Sequence, residues 1–196
     1  MTNFTVNNGN MIKSVAVFLG SSEGSEEYLR RAYEFGRQLA ERKYKVIFGG
    51  AEVGTMKAFA DGVIDAGGEI VGVFPKGFGG KRDIAATKRN IEMSRVTENI
   101  HVKDLAERKA VMNSLSDCCV IIPGGYGTME ELFCYAVENE IGIHDKKAFV
   151  LNTNGYYDAL EEVVATMKRE HFLKADSDVI TFHHSNEALF EALSKE

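Results

Sequence analysis

Short, almost unbroken apolar runs recur along this 196-residue chain, each ending in glycine, proline or another small residue and each leading toward a helical pattern. Residues 15–19 run into Gly20-Ser21-Ser22, residues 46–48 into Gly49-Gly50, and residues 118–122 into Pro123-Gly124-Gly125, while residues 70–74 stop at Pro75. A strand that is apolar on both faces has to be covered on both faces. Such runs therefore predict a parallel sheet between two layers of helix, since an antiparallel sheet with one wet face would alternate. The 3.6-residue periodicity places helices over 25–42, 55–66, 104–115, 128–140, 156–169 and 186–194, with further strands over 99–102, 148–151 and 179–182. In the first helix Tyr28, Leu29, Ala32, Phe35, Leu39 and Ala40 carry the pattern; in the fifth, Leu160, Val163, Val164 and Met167 are expected inward. The expected fold is α/β, a three-layer Rossmann-like arrangement, with a flexible tail over 1–12 and one domain over 13–196. Residues 76–95 break the alternation with Gly77, Gly79 and Gly80 and a basic segment, Lys81, Arg82, Lys88, Arg89 and Arg95.

Composition narrows the function classes. A formal net charge of −6 argues against a nucleic-acid surface, because phosphate backbones select basic patches. Three cysteines, two of them adjacent at Cys118-Cys119, make no disulfide framework and no zinc-ligand spacing. Apolar runs stay far short of the roughly 20 residues of a membrane helix, and no signal-peptide pattern is present, so a cytoplasmic, reduced protein without a membrane partner is expected. The turn after the first strand lacks the G-x-G-x-x-G dinucleotide fingerprint, and no G-x-x-x-x-G-K-[ST] phosphate loop occurs. His101 and His144 are isolated, and His183-His184 reads as an exposed strand end.

In such sheets ligands bind outside the carboxyl ends of the strands, so the turns at Gly20-Ser21, Gly49-Gly50 and Gly124-Gly125 converge on one crevice. The richest of them is Pro123-Gly124-Gly125-Tyr126-Gly127-Thr128-Met129-Glu130-Glu131. Its glycines remove Cβ atoms, leaving amides free to close on a bound group, and a helix N-terminus adds free donors and a positive dipole end. That suits a phosphate. Glu131 needs another explanation, and two readings stand. Thr128-x-x-Glu131 is a capping-box spacing, in which the carboxylate only satisfies helix amides. Alternatively Glu131 serves chemistry beside the anion. Upstream, Glu107-Arg108-Lys109 reads either as a solvated helix face or as part of the same site; Asp61 reads as helix surface.

The combination PGGYGTMEE (123–131) with Glu107-Arg108-Lys109-x-x-Met112 resembles the LONELY GUY (LOG) family of cytokinin riboside 5′-monophosphate phosphoribohydrolases, often described as lysine decarboxylases. The segments 18–22, 49–56, 142–147 and 154–158 resemble further signatures of that family, so the likeness covers most of the chain. It implies a hydrolase that cleaves the N-glycosidic bond of a purine riboside 5′-monophosphate, with an N6-modified adenine or plain AMP as the candidate substrate. Arg108 and Glu131 would be catalytic; Gly20, Ser21, Gly49, Gly50, Lys109, Gly124, Gly125, Tyr126, Gly127, Thr128 and Glu130 would hold substrate or its phosphate. The resemblance implies no metal, no cofactor and a homodimer. Departures from the family pattern fall at Leu105-Ala106, at Thr55 and Lys57, and at Asn90, where many members carry a substrate-contacting Glu and this chain has Glu92 two residues on. The alternative class is a non-catalytic carrier of a phosphorylated ligand, of the molybdenum-cofactor carrier type; the joint presence of Arg108 and Glu131 favours the enzyme.

Overall fold

The computed structural model describes residues 11–76 and 96–196. Most of the expected tail and the whole basic segment 81–95, including Asn90 and Glu92, lie outside the described residues. Seven strands form one all-parallel sheet in the order β4-β3-β2-β1-β5-β6-β7. They are β1 (Ser14–Phe18), β2 (Lys45–Phe48), β3 (Ile70–Pro75), β4 (Glu98–Val102), β5 (Cys118–Ile121), β6 (Ala148–Leu151) and β7 (Ile180–His183). The helices are α1 (Glu26–Glu41), α2 (Gly54–Asp65), α3 (Leu105–Ser114), α4 (Tyr126–Glu140), α5 (Asp158–Arg169) and α6 (Asn186–Leu193). The three-layer reading of the sequence therefore holds.

The apolar runs explain the layering, since every residue of β5 and β6 is buried. Alternate side chains feed two cores. Val15, Val17, Val46, Phe48, Val120 and Phe149 pack with Phe35, Leu39 and Phe59 of α1 and α2 and Leu189 of α6. Ala16, Phe18, Ile47, Val71, Ile121 and Val150 pack on the other face with Met112 of α3, Leu132 and Tyr135 of α4, and Tyr157. One expected inward residue is not inward: Val163 is 46% exposed, because α5 seats Leu160, Val164 and Met167 and turns Val163 aside. Strand order reverses between β1 and β5, whose register pairs Phe18 with Ile121. In sheets of this kind the ligand crevice lies at that switch point, outside the carboxyl ends of the two central strands.

Candidate active site

The chain leaves β5 through Ile122-Pro123-Gly124 and enters α4 at Tyr126, with Gly125 as the N-cap residue. The helix thus starts two residues before the expected Thr128, and the capping-box reading fails: no side chain caps α4. The reason is steric. A Cβ at Gly124 would collide with the Thr128 hydroxyl and lie 2.8 Å from the Gly20 amide nitrogen, so the bare glycine lets Thr128 fold back over the turn as the buried third residue of the helix. The amides of Gly125, Tyr126, Gly127 and Thr128 have no acceptor among the described residues. Tyr126 stands 97% exposed at the mouth.

Glu131, one turn into α4, is 8% exposed and its carboxylate is paired with the Arg108 guanidinium of α3. Burial pushes the Glu131 carboxyl up to about 7 against the opposing pull of Arg108. The Nε of Arg108 is buried without a hydrogen-bond partner among the described residues. Arg108 reaches the crevice because α3 is well anchored: Asp104 caps it by accepting from the Glu107 amide at 2.9 Å, while the Glu107 carboxylate accepts from the Lys103 amide. The capping device lies on α3, and the exposed Glu107 serves it from the solvent side, whereas Arg108 and Lys109 turn toward α4. Arg108 also needs Gly49, since a Cβ there would press on its Nη1 at 3.0 Å.

The other predicted positions divide. Gly20 meets the turn directly, its amide donating to the Pro123 carbonyl at 3.2 Å. Gly50 ends β2 with a positive φ of 76° against the Phe74 ring, and Ser21 lies exposed on the loop that follows Gly20. Lys109 pairs with Glu130 on the outer side of α4, close to Cys134 one turn further from the glycine turn, so its ammonium lies along the helix rather than over the amides. Sequence reasoning marked Thr55 only as a departure from the family pattern and missed its contact: its buried hydroxyl donates to the Gly20 carbonyl at 2.5 Å. It also missed Tyr156 and Tyr157, which hydrogen-bond to the turn from 32 and 35 residues away. Among the described residues a metal-type cluster occurs at Asp158, Glu161 and His184, with donor atoms within 4.8 Å of one another. Existing contacts account for it: Asn152 Nδ2 donates to Asp158 Oδ1 at 2.7 Å and lies 3.4 Å from His184 Nδ1, and His184 Nε2 lies 3.5 Å from Glu161. No helix among the described residues is long and apolar enough to cross a membrane.

The fold defines an α/β protein of Rossmann-like architecture, whose β1/β5 switch point carries the candidate site: a buried Arg–Glu pair one turn below the open amides of a helix start. The family model described as "Possible lysine decarboxylase" matches residues 56–193. The chain is 38% identical over 163 residues to a rice (Oryza sativa subsp. japonica) protein named probable cytokinin riboside 5′-monophosphate phosphoribohydrolase LOGL1, covering 83% of this chain and 70% of that one. It is 36% identical over 163 residues to cytokinin riboside 5′-monophosphate phosphoribohydrolase LOG5 of Arabidopsis thaliana, covering 83% and 68%. The chain belongs to the LOG family. Among solved structures, the molybdenum cofactor binding protein of Rippkaea orientalis superposes with a TM-score of 0.67 at 20% identity, over 93% of this chain and 95% of that one. The molybdenum cofactor carrier protein of Chlamydomonas reinhardtii gives 0.64 at 19% identity, over 93% and 96%. At such identities these two share the fold alone.

Proposed function

We propose that this protein hydrolyses the N-glycosidic bond of a purine riboside 5′-monophosphate, AMP or its N6-substituted cytokinin counterpart, to free base and ribose 5-phosphate. The 5′-phosphate is held by the amides of Gly125–Thr128 and the positive end of α4. The ribose then extends toward Glu131. Cleavage breaks the bond from C1′ to the base nitrogen, the electron pair leaves with the base, and positive charge develops on the sugar. The Glu131 carboxylate stabilises that charge and takes a proton from the water whose oxygen bonds C1′. The departing base nitrogen gains one proton as Glu131 gives its own up, so the water's hydrogen is accounted for and Glu131 ends as the carboxylate. Arg108 fixes the carboxylate in place by a charge-assisted hydrogen bond. Supporting this reading above all is the buried Arg108–Glu131 pair set one helical turn below unengaged amides, in a chain similar over four-fifths of its length to a phosphoribohydrolase.

Incubation with AMP and with isopentenyladenosine monophosphate, followed by chromatography of the free base, tests the proposal; absence of base from every purine monophosphate removes it. A carrier would bind the nucleotide and leave it intact. Pairing of two copies through α3 and α4 belongs to the same proposal: Val137, Ile141 and Ile143 offer apolar surface at 51%, 66% and 65% exposure. Light scattering on the intact protein measures it, and a monomeric mass would exclude it.

A further inference from the structure

The anion-facing amides of the turn are useful only if the turn cannot flip its peptide planes, and the backbone between β5 and α4 is fastened to the frame at each carbonyl. Ile122 donates its amide to the Phe18 carbonyl at 3.1 Å. Its own carbonyl accepts the Tyr157 hydroxyl at 2.9 Å. The Pro123 carbonyl accepts the Gly20 amide at 3.2 Å, and proline has no amide to place. The Gly124 carbonyl accepts the Tyr156 hydroxyl at 2.8 Å. Three successive carbonyls are thus engaged by the frame, and the amides left open are those of Gly125, Tyr126, Gly127 and Thr128.

The two tyrosines are themselves held. Asn152, 1% exposed at the end of β6, accepts from the Tyr157 amide at 2.7 Å and donates to Asp158 at 2.7 Å. Asn154 and Gly155 take left-handed φ values of 54° and 71°, doubling the chain back so that residues 156 and 157 come under the turn. The rings meet edge to face at 4.8 Å, and Tyr28 of α1 closes on Tyr156 at 5.6 Å. Loss of either hydroxyl would free a carbonyl without changing ring packing.

We infer that Tyr156 and Tyr157 are positioning residues, which fasten the Gly124 and Ile122 carbonyls on either side of Pro123 and so keep the Gly125–Thr128 amides aimed at a ligand phosphate. The inference rests on the phosphoribohydrolase reading only for the identity of the ligand, since the clamp serves any phosphate seated there. Its test uses Tyr156→Phe, Tyr157→Phe and the double variant of the full chain, with ribose 5-phosphate as calorimetric probe and AMP as substrate. Each hydroxyl removed should raise the Kd for ribose 5-phosphate and the KM for AMP about 3- to 10-fold, with kcat changed by less than about twofold. A merely structural role would lower the melting temperature and leave Kd and KM unmoved, which overturns the inference. So does a wild-type protein that binds no ribose 5-phosphate. If the wild type binds ribose 5-phosphate but releases no base from AMP, the hydrolase reading falls and the Kd series still decides the clamp. Should Tyr157→Phe fail to fold, Tyr156→Phe carries the test, because that ring is 44% exposed.

Discussion

At the carboxyl end of the sheet α3 and α4 share the ion pairs Arg108–Glu131 and Lys109–Glu130; toward the other end the same helices share Asn113, Cys134, Tyr135 and Glu138 with His144 and Lys146 of the following loop. Both regions bury polar groups, and both contain a carboxylate. In the lower region the carboxylate faces partners that are all parts of the frame: Glu138 accepts from Asn113 Nδ2 at 3.0 Å and lies 3.7 Å from His144 Nε2, while Lys146 Nζ donates to the Asn113 carbonyl at 2.5 Å. In the upper region the carboxylate sits beneath open amides and beside a Gly49 floor that leaves room for Arg108. A carboxylate held between two helices therefore does not by itself mark a site. What marks one is charge meeting a row of backbone amides that the fold leaves unused.

Glu131→Gln is the strongest way to break this contrast. It keeps shape and removes the charge, so kcat should fall about 10²- to 10⁴-fold while ribose 5-phosphate binding, measured by calorimetry, persists. Full turnover in the variant would make the upper pair as purely structural as the lower one. Acidity gives the second test. With Glu131 held near 7 by burial, the carboxylate form dominates above that pH and the neutral acid below it. If the carboxylate is the working form, kcat/KM falls about tenfold per unit as pH drops below about 7 and levels off above it. The second ionisation of a substrate phosphate, near pH 6, is separable by infrared difference spectra of wild type against Glu131→Gln, which follow the carboxyl itself. A carboxyl band titrating near 4 would contradict the desolvated setting of Glu131.

How far these two regions were legible in the sequence differs for a physical reason. Continuous apolar strands can be satisfied in few ways, so residues 15–19, 46–48 and 118–122 disclosed the layered sheet. The glycine turn was legible, for the same local reason, as a stretch whose amides stay open. Thr128-x-x-Glu131 misled, because a capping-box spacing is satisfied by any Thr and Glu three apart, whereas the true helix start depends on Thr128 packing over Gly124. The Glu107-Arg108-Lys109 triplet looks like helix surface until α3 is laid against α4, and only the family resemblance disclosed Arg108 beforehand. Nothing local disclosed the tyrosine clamp or the Asn113–Glu138 contact, whose partners become neighbours only through the crossovers.

Glu138→Ala probes the lower region. It strands the Asn113 amide and removes the acceptor facing His144, a loss of about 1–3 kcal/mol in urea unfolding at pH 7. Activity per folded molecule should not change. A fall in kcat beyond the loss of folded protein would mean that the two ends of the α3–α4 contact are coupled, and the contrast between them would have to be redrawn.

Tyr135→Phe gives the smallest effect and the finest distinction. The Tyr135 ring is 3% exposed and lies 4.5 Å from the His144 ring, but its hydroxyl has no hydrogen-bond partner among the described residues. Deleting a buried hydroxyl that bonds to nothing removes a desolvation cost and keeps the ring, so stability should stay level or rise by up to about 1 kcal/mol. A loss of more than about 1 kcal/mol would show instead that an internal water joins Tyr135, Asn113 Oδ1 and His144 into a closed network. The lower region would then be a fully satisfied polar core, and the open donors of the upper region would stand out the more sharply against it.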